Sequence, residues 1–291
     1  MNFGRVLTAM VTPFQQNGEV DDEQTTILIE HLLQNSSDGL VISGTTGESP
    51  TLTFDEKLNL FKHVTKAVNR RVPVIAGTGS NNTKASIRLT EEAENSGVDA
   101  IMLVTPYYNK PSREGMYEHF KRIAESTSLP VMLYNIPGRS AVKLNADTII
   151  QLSEIDNIVS VKEAAGDLDQ VSMIIENTKS DFSVYSGEDS LTLPMMALGA
   201  DGVVSVASHI IGNELQQMIT HFYNGKINKA GSLHRKLLPV MNELFSSPSP
   251  SPVKTALKIK GLDSGFVRLP LIPLSEQEQK KMEYIIHKSI G

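Results

Sequence analysis

The chain has 291 residues, 40% hydrophobic and 21% charged, which gives apolar content for a sizeable core and excludes a disordered chain. A formal net charge of -6 argues against a nucleic-acid binder, which needs a basic surface, and the lack of Cys excludes disulfides, thiolate metal sites and cysteine nucleophiles. No apolar run reaches the roughly 18 residues of a membrane span, and the first residues lack the pattern of a signal peptide, so a cytoplasmic protein without a membrane partner is expected.

Short apolar runs recur along the chain. In order they are Leu7-Thr-Ala-Met-Val11, Gly39-Leu-Val-Ile-Ser43, Val72-Pro-Val-Ile-Ala76 and Ala100-Ile-Met-Leu-Val104, then Val131-Met-Leu-Tyr134, Ile158-Val-Ser-Val161, Phe182-Ser-Val-Tyr185 and Val203-Val-Ser-Val206. Most are continuously apolar and rich in Val and Ile, the composition of parallel strands buried on both faces. Amphipathic stretches separate them. Leu60, Phe61, Val64, Ala67 and Val68 recur at helical spacing, with Lys57, Lys62 and Lys66 assigned to the wet side. Thr53-Phe-Asp-Glu56 reads as a capping box, since Thr53 and Glu56 can each satisfy a free amide at a helix start.

Eight strand–helix units predict an α/β fold, a (β/α)8 barrel with a C-terminal helical appendage; a doubly wound sheet is the rival, but usually has fewer strands. The barrel is expected to occupy residues 1–225. Residues 226–291 are expected to form helices at 228–245, 253–260 and 276–289, the last behind a second capping box, Ser275-Glu-Gln-Glu278. A tail of this size is too small to stand alone and should pack on the barrel or on a neighbouring subunit. Ser246-Ser-Pro-Ser-Pro-Ser-Pro252 reads as a stiff turn between helices, with a proline-rich ligand segment as the alternative.

Barrels of this kind place their chemistry at the carboxyl ends of the strands. Successive runs are followed there by Gly44-Thr-Thr-Gly-Glu48, Gly77-Thr-Gly79, Thr105-Pro-Tyr-Tyr-Asn109, Tyr134-Asn-Ile-Pro-Gly-Arg139, Lys162-Glu163 and Ser186-Gly-Glu-Asp189. Lys162 directly follows Ile158-Val-Ser-Val161, so it sits on or just past a core strand. It is either an ion-pair partner inside the barrel, with Glu163 or Glu188, or a Schiff-base lysine. Burial disfavours the ammonium form of a lysine, and the free amine attacks a ketone carbonyl. Tyr134, Tyr108, Tyr107 and Thr45 supply hydroxyls that could relay the protons such chemistry moves, or are half-buried packing. Arg139, behind Pro137-Gly138, could grip a carboxylate with its two-pronged guanidinium, or sit in a surface turn. The glycines of Gly44-Thr-Thr-Gly47 could let backbone amides approach a small anion. The histidines show no metal-ligand spacing, so no metal is expected, and His209, the one near the mouth, is expected to be packing or rim.

Together, Gly44-Thr-Thr-Gly-Glu-Ser49, Thr105-Pro-Tyr-Tyr-Asn-Lys-Pro111, Tyr134-Asn-Ile-Pro-Gly-Arg139 and Val161-Lys-Glu-Ala164 resemble the dihydrodipicolinate synthase family of the N-acetylneuraminate lyase superfamily. The likeness extends into the tail through Ser251-Pro-Val-Lys254 and Arg268-Leu-Pro-Leu271. The resemblance implies a lyase that condenses pyruvate with aspartate semialdehyde on the route to lysine and diaminopimelate. It implies that Lys162 forms an imine with pyruvate, that Tyr134 transfers protons there, and that Thr45 links Tyr134 to Tyr108, which reaches the site of an adjacent subunit. Thr46 would hold the pyruvate carboxylate, Arg139 the carboxylate of the second substrate, and Gly187 and Val204 would line the lysine pocket. A homotetramer with no cofactor beyond its own lysine is implied. Alternatives within and beyond the superfamily are a sialic acid or keto-deoxy sugar lyase and a non-catalytic keto-acid-binding paralogue. Two departures stand out: Ser140-Ala141 follows Arg139 where Thr and then Gly or Asn are common, and Phe54, Lys57 and Ala85 occupy positions that carry His, His and Glu in lysine-inhibited members. Weak or absent inhibition by lysine is therefore expected.

Overall fold

In the computed structural model, which describes residues 2–290, eight parallel strands close into a barrel. They are β1 (Val6–Ala9), β2 (Gly39–Ile42), β3 (Val74–Gly77), β4 (Ala100–Val104), β5 (Val131–Asn135), β6 (Ile158–Glu163), β7 (Ser183–Ser186) and β8 (Gly202–Ser205). Each pairs with the next in sequence, and β1 pairs with β8 to complete the ring. The apolar runs are continuous because the barrel interior covers one face of each strand and the helices cover the other. Helix ends follow local chemistry. The Thr53–Glu56 capping box is made in both directions, Thr53 N–H to Glu56 Oε2 at 2.8 Å and Glu56 N–H to Thr53 Oγ1 at 3.2 Å. It opens the helix Phe54–Val68, which buries Leu60, Phe61, Val64 and Val68. Lys62 and Lys66 are exposed, whereas Lys57, one helical turn from the capped end, is half-buried and not on the wet side as its spacing indicates.

Three tail helices, Ile227–Glu243, Ser251–Ile259 and Glu276–Ile290, follow the helix Ser208–Tyr223 and pack against it and one another. The proline-rich segment is tied into this packing rather than presented as a free ligand. Ser247 Oγ donates to Glu278 Oε1 at 2.5 Å, Ser251 Oγ donates to the Ile272 carbonyl at 2.7 Å, and Ser251-Pro252 form the first turn of the middle helix.

A buried ion pair fastens the tail to the loop after β2. Lys254 Nζ lies 2.9 Å from Glu48 Oε1, with the two side chains 4% and 0% exposed. The Arg268 N–H donates to Glu48 Oε2 at 2.9 Å, and the Arg268 guanidinium grips Glu56 and the Gly18 and Thr51 carbonyls. Both cations stack on Phe14, 4.4 and 4.3 Å from its ring centroid. Burial pulls the Lys254 amine down to about 8 against the opposing pull of Glu48. Breaking such a pair from one side strands a charge without compensation. Lys254→Met should therefore cost about 3–5 kcal/mol of unfolding free energy, and adding Glu48→Gln should recover most of it. Urea unfolding of the single and double variants measures both.

Candidate active site

The register of β5 and β6 sets the centre of the site. Tyr134 pairs with Lys162, and Asn135 pairs with Glu163. Side chains alternate along a strand, so Tyr134 and Lys162 share one face while their successors share the other. Lys162 is 5% exposed and Tyr134 is 3% exposed. The Lys162 Nζ stands 4.2 Å from the Tyr134 ring centroid. The strand runs through the lysine, so Lys162 sits on it and not just past it. Gly187, after β7, backs the lysine: a Cβ there would sit 3.1 Å from Lys162 Cε and Cγ and 2.6 Å from Ala164 Cβ. Its N–H donates to the Glu163 carbonyl at 2.7 Å.

Two cavities open at this end of the barrel. One, of about 280 Å3, is lined by Gly44, Thr45, Lys57, Tyr107, Tyr134 and Arg139 among others. The second, of about 480 Å3, lies between the ends of β6 and β7 and the tail, lined by Ala164, Gly187, Glu188, Asp189, Asn242 and Phe245. Ile136 and Arg139 border both. Lys162 touches a wall residue of each, Tyr134 on one side and Gly187 on the other.

Local sequence explains how the loops reach these places. In the loop after β2, Glu48 N–H donates to the Thr45 carbonyl and Ser49 N–H to the Gly44 carbonyl, at 3.1 and 3.2 Å. Thr12 Oγ1 donates to the Gly47 carbonyl at 2.7 Å, and a Cβ at Gly47 would lie 3.1 Å from the Met10 carbonyl oxygen, so only glycine fits without displacement. Thr45 is left half-buried at the cavity wall, while Thr46 is buried. Arg139 rides on a single helical turn, Pro137–Ser140, whose proline fixes the first backbone angle.

Asp189, two residues after Gly187, is buried at the wall of the second cavity. Ser205 Oγ and the Val206 and Ala207 N–H groups donate to it, the amides at 3.1 and 3.0 Å. Burial pushes its carboxyl up, and those hydrogen bonds and the charge of Lys162 oppose the shift. The sequence reading grouped Asp189 only as strand-end polarity; its enclosure depends on how β7 meets the start of the last barrel helix.

Thr45, Tyr134 and Arg139 line the first cavity together, and Tyr134 and Gly187 are the two of the expected residues that contact Lys162. Val204 lies buried on β8 in register with Leu7. Tyr108 is not brought to the site: it has φ +73° and is 87% exposed, and its neighbour Tyr107 lines the cavity instead. The proposed ion pairs of Lys162 with Glu163 and Glu188 are not made. Glu163 faces away and accepts from Asn135, Ala165 N–H and Gln170, while Glu188 is exposed. Lys57 lines the first cavity, and desolvation there lowers its amine. His209 is core rather than rim. The Val11 N–H donates to its Nε2 at 3.2 Å, its Nδ1 donates to the Val206 carbonyl at 2.8 Å, and burial lowers it to about 4. Among the described residues, no group of three or more His, Asp or Glu side chains could hold a metal ion, and no helix is long and apolar enough to cross a membrane.

A lysine and a tyrosine side by side on neighbouring strands, at the carboxyl end of a closed parallel barrel, define a (β/α)8 enzyme with an amine at its mouth. The model of the dihydrodipicolinate synthetase family matches residues 2–289. The 4-hydroxy-tetrahydrodipicolinate synthase 1 of Halalkalibacterium halodurans is 61% identical over 287 residues, covering 99% of this chain and 97% of the relative. Dihydrodipicolinate synthase from Bacillus anthracis superposes with a TM-score of 0.97 at 59% identity, covering 99% and 98% of the two chains. The enzyme from Cyanidioschyzon merolae, solved with lysine bound, gives 0.97 at 44% identity with the same coverage. The chain belongs to the dihydrodipicolinate synthetase family and is a lyase.

Because Gly187 packs directly on the Lys162 stem, Gly187→Ala should cost about 1–3 kcal/mol from overpacking. It should also lower kcat by about tenfold or more by displacing the amine. Steady-state rates beside urea unfolding of the same variant test this; an unchanged kcat would show that the amine tolerates the shift.

Proposed function

We propose that Lys162, Tyr134, Thr45 and Tyr108 carry out the condensation of pyruvate with L-aspartate 4-semialdehyde to 4-hydroxy-tetrahydrodipicolinate, in lysine and diaminopimelate biosynthesis. The observation that carries this reading is the buried Lys162 amine held 4.2 Å from the Tyr134 ring with no salt link to Glu163 or Glu188. The amine attacks the ketone of pyruvate, and loss of water gives the imine. Loss of a methyl proton gives the enamine, whose carbon attacks the aldehyde. The amino group of the second substrate then displaces Lys162 by closing the ring, which returns the free enzyme. Tyr134 moves protons at the imine carbon and Thr45 passes them on.

Thr46 and its amide bind the pyruvate carboxylate, and Arg139, bordering both cavities, binds the carboxylate of the aldehyde. Gly187 and Val204 line the lysine pocket. The lysine serves as the covalent catalyst, and neither metal nor organic cofactor takes part. Tyr108 completes the relay in an adjacent copy of a homotetramer; its 87% exposure in its own chain leaves it free for that. We assign the chemistry to a barrel unit, residues 1–225, and support to a helical unit, residues 226–291, in a cytoplasmic enzyme.

Borohydride reduction in the presence of pyruvate should attach the reduced adduct to Lys162, read by peptide mass. Lys162→Ala should fold, take up no adduct and lose nearly all turnover. Tyr134→Phe should form the imine at a greatly reduced rate. Wild-type turnover in Lys162→Ala would end the assignment. Offering a panel of aldehydes with pyruvate fixes the acceptor, and turnover of sugars in preference to aspartate semialdehyde would redirect it to a sugar-acid lyase.

The region of Phe54, Lys57 and Ala85 bears on control by lysine. Arg88 stacks on Phe54 at 4.3 Å and Lys57 lines the first cavity. Two cations, and alanine in place of a carboxylate at position 85, disfavour a ligand carrying two ammonium groups. Submillimolar lysine should leave the rate nearly unchanged in a steady-state assay, and half-maximal inhibition in that range would refute this.

A further inference from the structure

Glu163 and Asn135 each follow a residue of the catalytic pair, and both are buried, 1% and 0% exposed, on the opposite face of the strands. The Asn135 amide donates to both Glu163 oxygens, at 3.1 and 2.9 Å. The Ala165 N–H donates to Oε1 at 2.8 Å, and Gln170 Nε2 donates to Oε2 at 2.9 Å. Every partner is a donor, which suits an acceptor-only carboxylate and no other side chain of that shape. Asn135 cannot turn over to compensate. Its Oδ1 accepts the Leu144 N–H at 2.9 Å, while its amide also donates to the Leu144 carbonyl at 3.1 Å.

The backbone ladder alone leaves the register here exposed to error. Val131 pairs with Ile158 but Met132 pairs with Ser160, so β6 carries one extra residue just before the functional pair. A slip of one residue would turn Lys162 out of the barrel and Glu163 in. The Asn135–Glu163 bond lies directly beyond the Tyr134–Lys162 pair and fixes its register after the bulge. Through Leu144 and Gln170 the same carboxylate also ties down the segment that follows Arg139 and the helix Leu168–Asn177.

We propose that Glu163 is a positioning residue, whose buried carboxylate, gathering Asn135, Ala165 N–H and Gln170, holds Lys162, Tyr134 and Arg139 in one reactive geometry. This rests on the Schiff-base reading above. Burial of the carboxyl pushes it toward its neutral form, and the gathered donors and Lys143 counter that push. The carboxylate lies on the strand face opposite Lys162 and is occupied by Asn135, Ala165 N–H and Gln170, so it acts through its neighbours rather than on substrate.

The test compares wild type with Glu163→Gln, which sets an amide N–H2 against donors, and with Asn135→Ser, which removes the link between strands but leaves Glu163 its other partners. Circular dichroism and urea unfolding report the folded fraction. Single-turnover borohydride trapping with pyruvate and steady-state kcat and KM report geometry. Both variants, folded at the assay temperature, should lose about tenfold or more in kcat. Trapping should slow in the same proportion, with KM for pyruvate changed much less. Wild-type kcat and trapping rate per folded molecule, whatever the loss of stability, would overturn the proposal. Should Glu163→Gln fail to fold, Asn135→Ser alone decides by the same two readouts. Failure of the wild type to trap pyruvate at Lys162 would instead sink the Schiff-base reading.

Discussion

Neighbouring side chains on a strand point to opposite faces, and the mouth of this barrel is built on that constraint. At the ends of β5 and β6 it sends a tyrosine and a lysine inward and an asparagine and a glutamate outward, in matched pairs. The adjacent Glu163 carboxylate is committed elsewhere and makes no ion pair with Lys162. The outward pair turns what would be a costly buried charge into a set of hydrogen bonds.

Three buried carboxylates recur around the site, each compensated differently. Glu163 uses neutral donors, Asp189 uses a hydroxyl and two amides, and Glu48 uses the Lys254 ammonium and the Arg268 amide. Each joins segments distant in sequence: β5 to β6, the turn after β7 to the end of β8, and the loop after β2 to the tail. Polar groups enclosed this deeply tolerate few alternative arrangements, since misplacing one leaves an unmatched charge. The loops around the lysine are thereby joined to one another and to the tail by buried polar contacts.

The tail is part of the same arrangement. Its first helix and the turn that ends it supply Asn242 and Phe245 to the wall of the second cavity, and Lys254 and Arg268 reach back to Glu48 in the loop bearing Thr45 and Thr46. A helical unit of this size could not build a core alone. Packed on the last barrel helix, it contributes both covering surface and two of the charges that fix the mouth.

The sequence by itself determined the eight strands, the order of the polar loops and the lysine at the end of the sixth run. Their signals are local: continuous Val- and Ile-rich runs, a capping box and glycine-bearing turns each act over a few residues. The tail helices were legible for the same reason, to within about two residues at most ends. Only the tertiary structure decided what surrounds the lysine. Spacing could not tell whether Glu163 pairs with it, because that depends on how far β6 extends and on a bulge opposite β5. Nor could it show that Lys57 lines a cavity, that His209 is enclosed, that Tyr108 stands away from its own site, or that Lys254 finds Glu48 across some two hundred residues. Those outcomes follow from closure of the barrel and docking of the tail, and burial and partner choice are properties of such long-range packing that no short stretch of chain encodes.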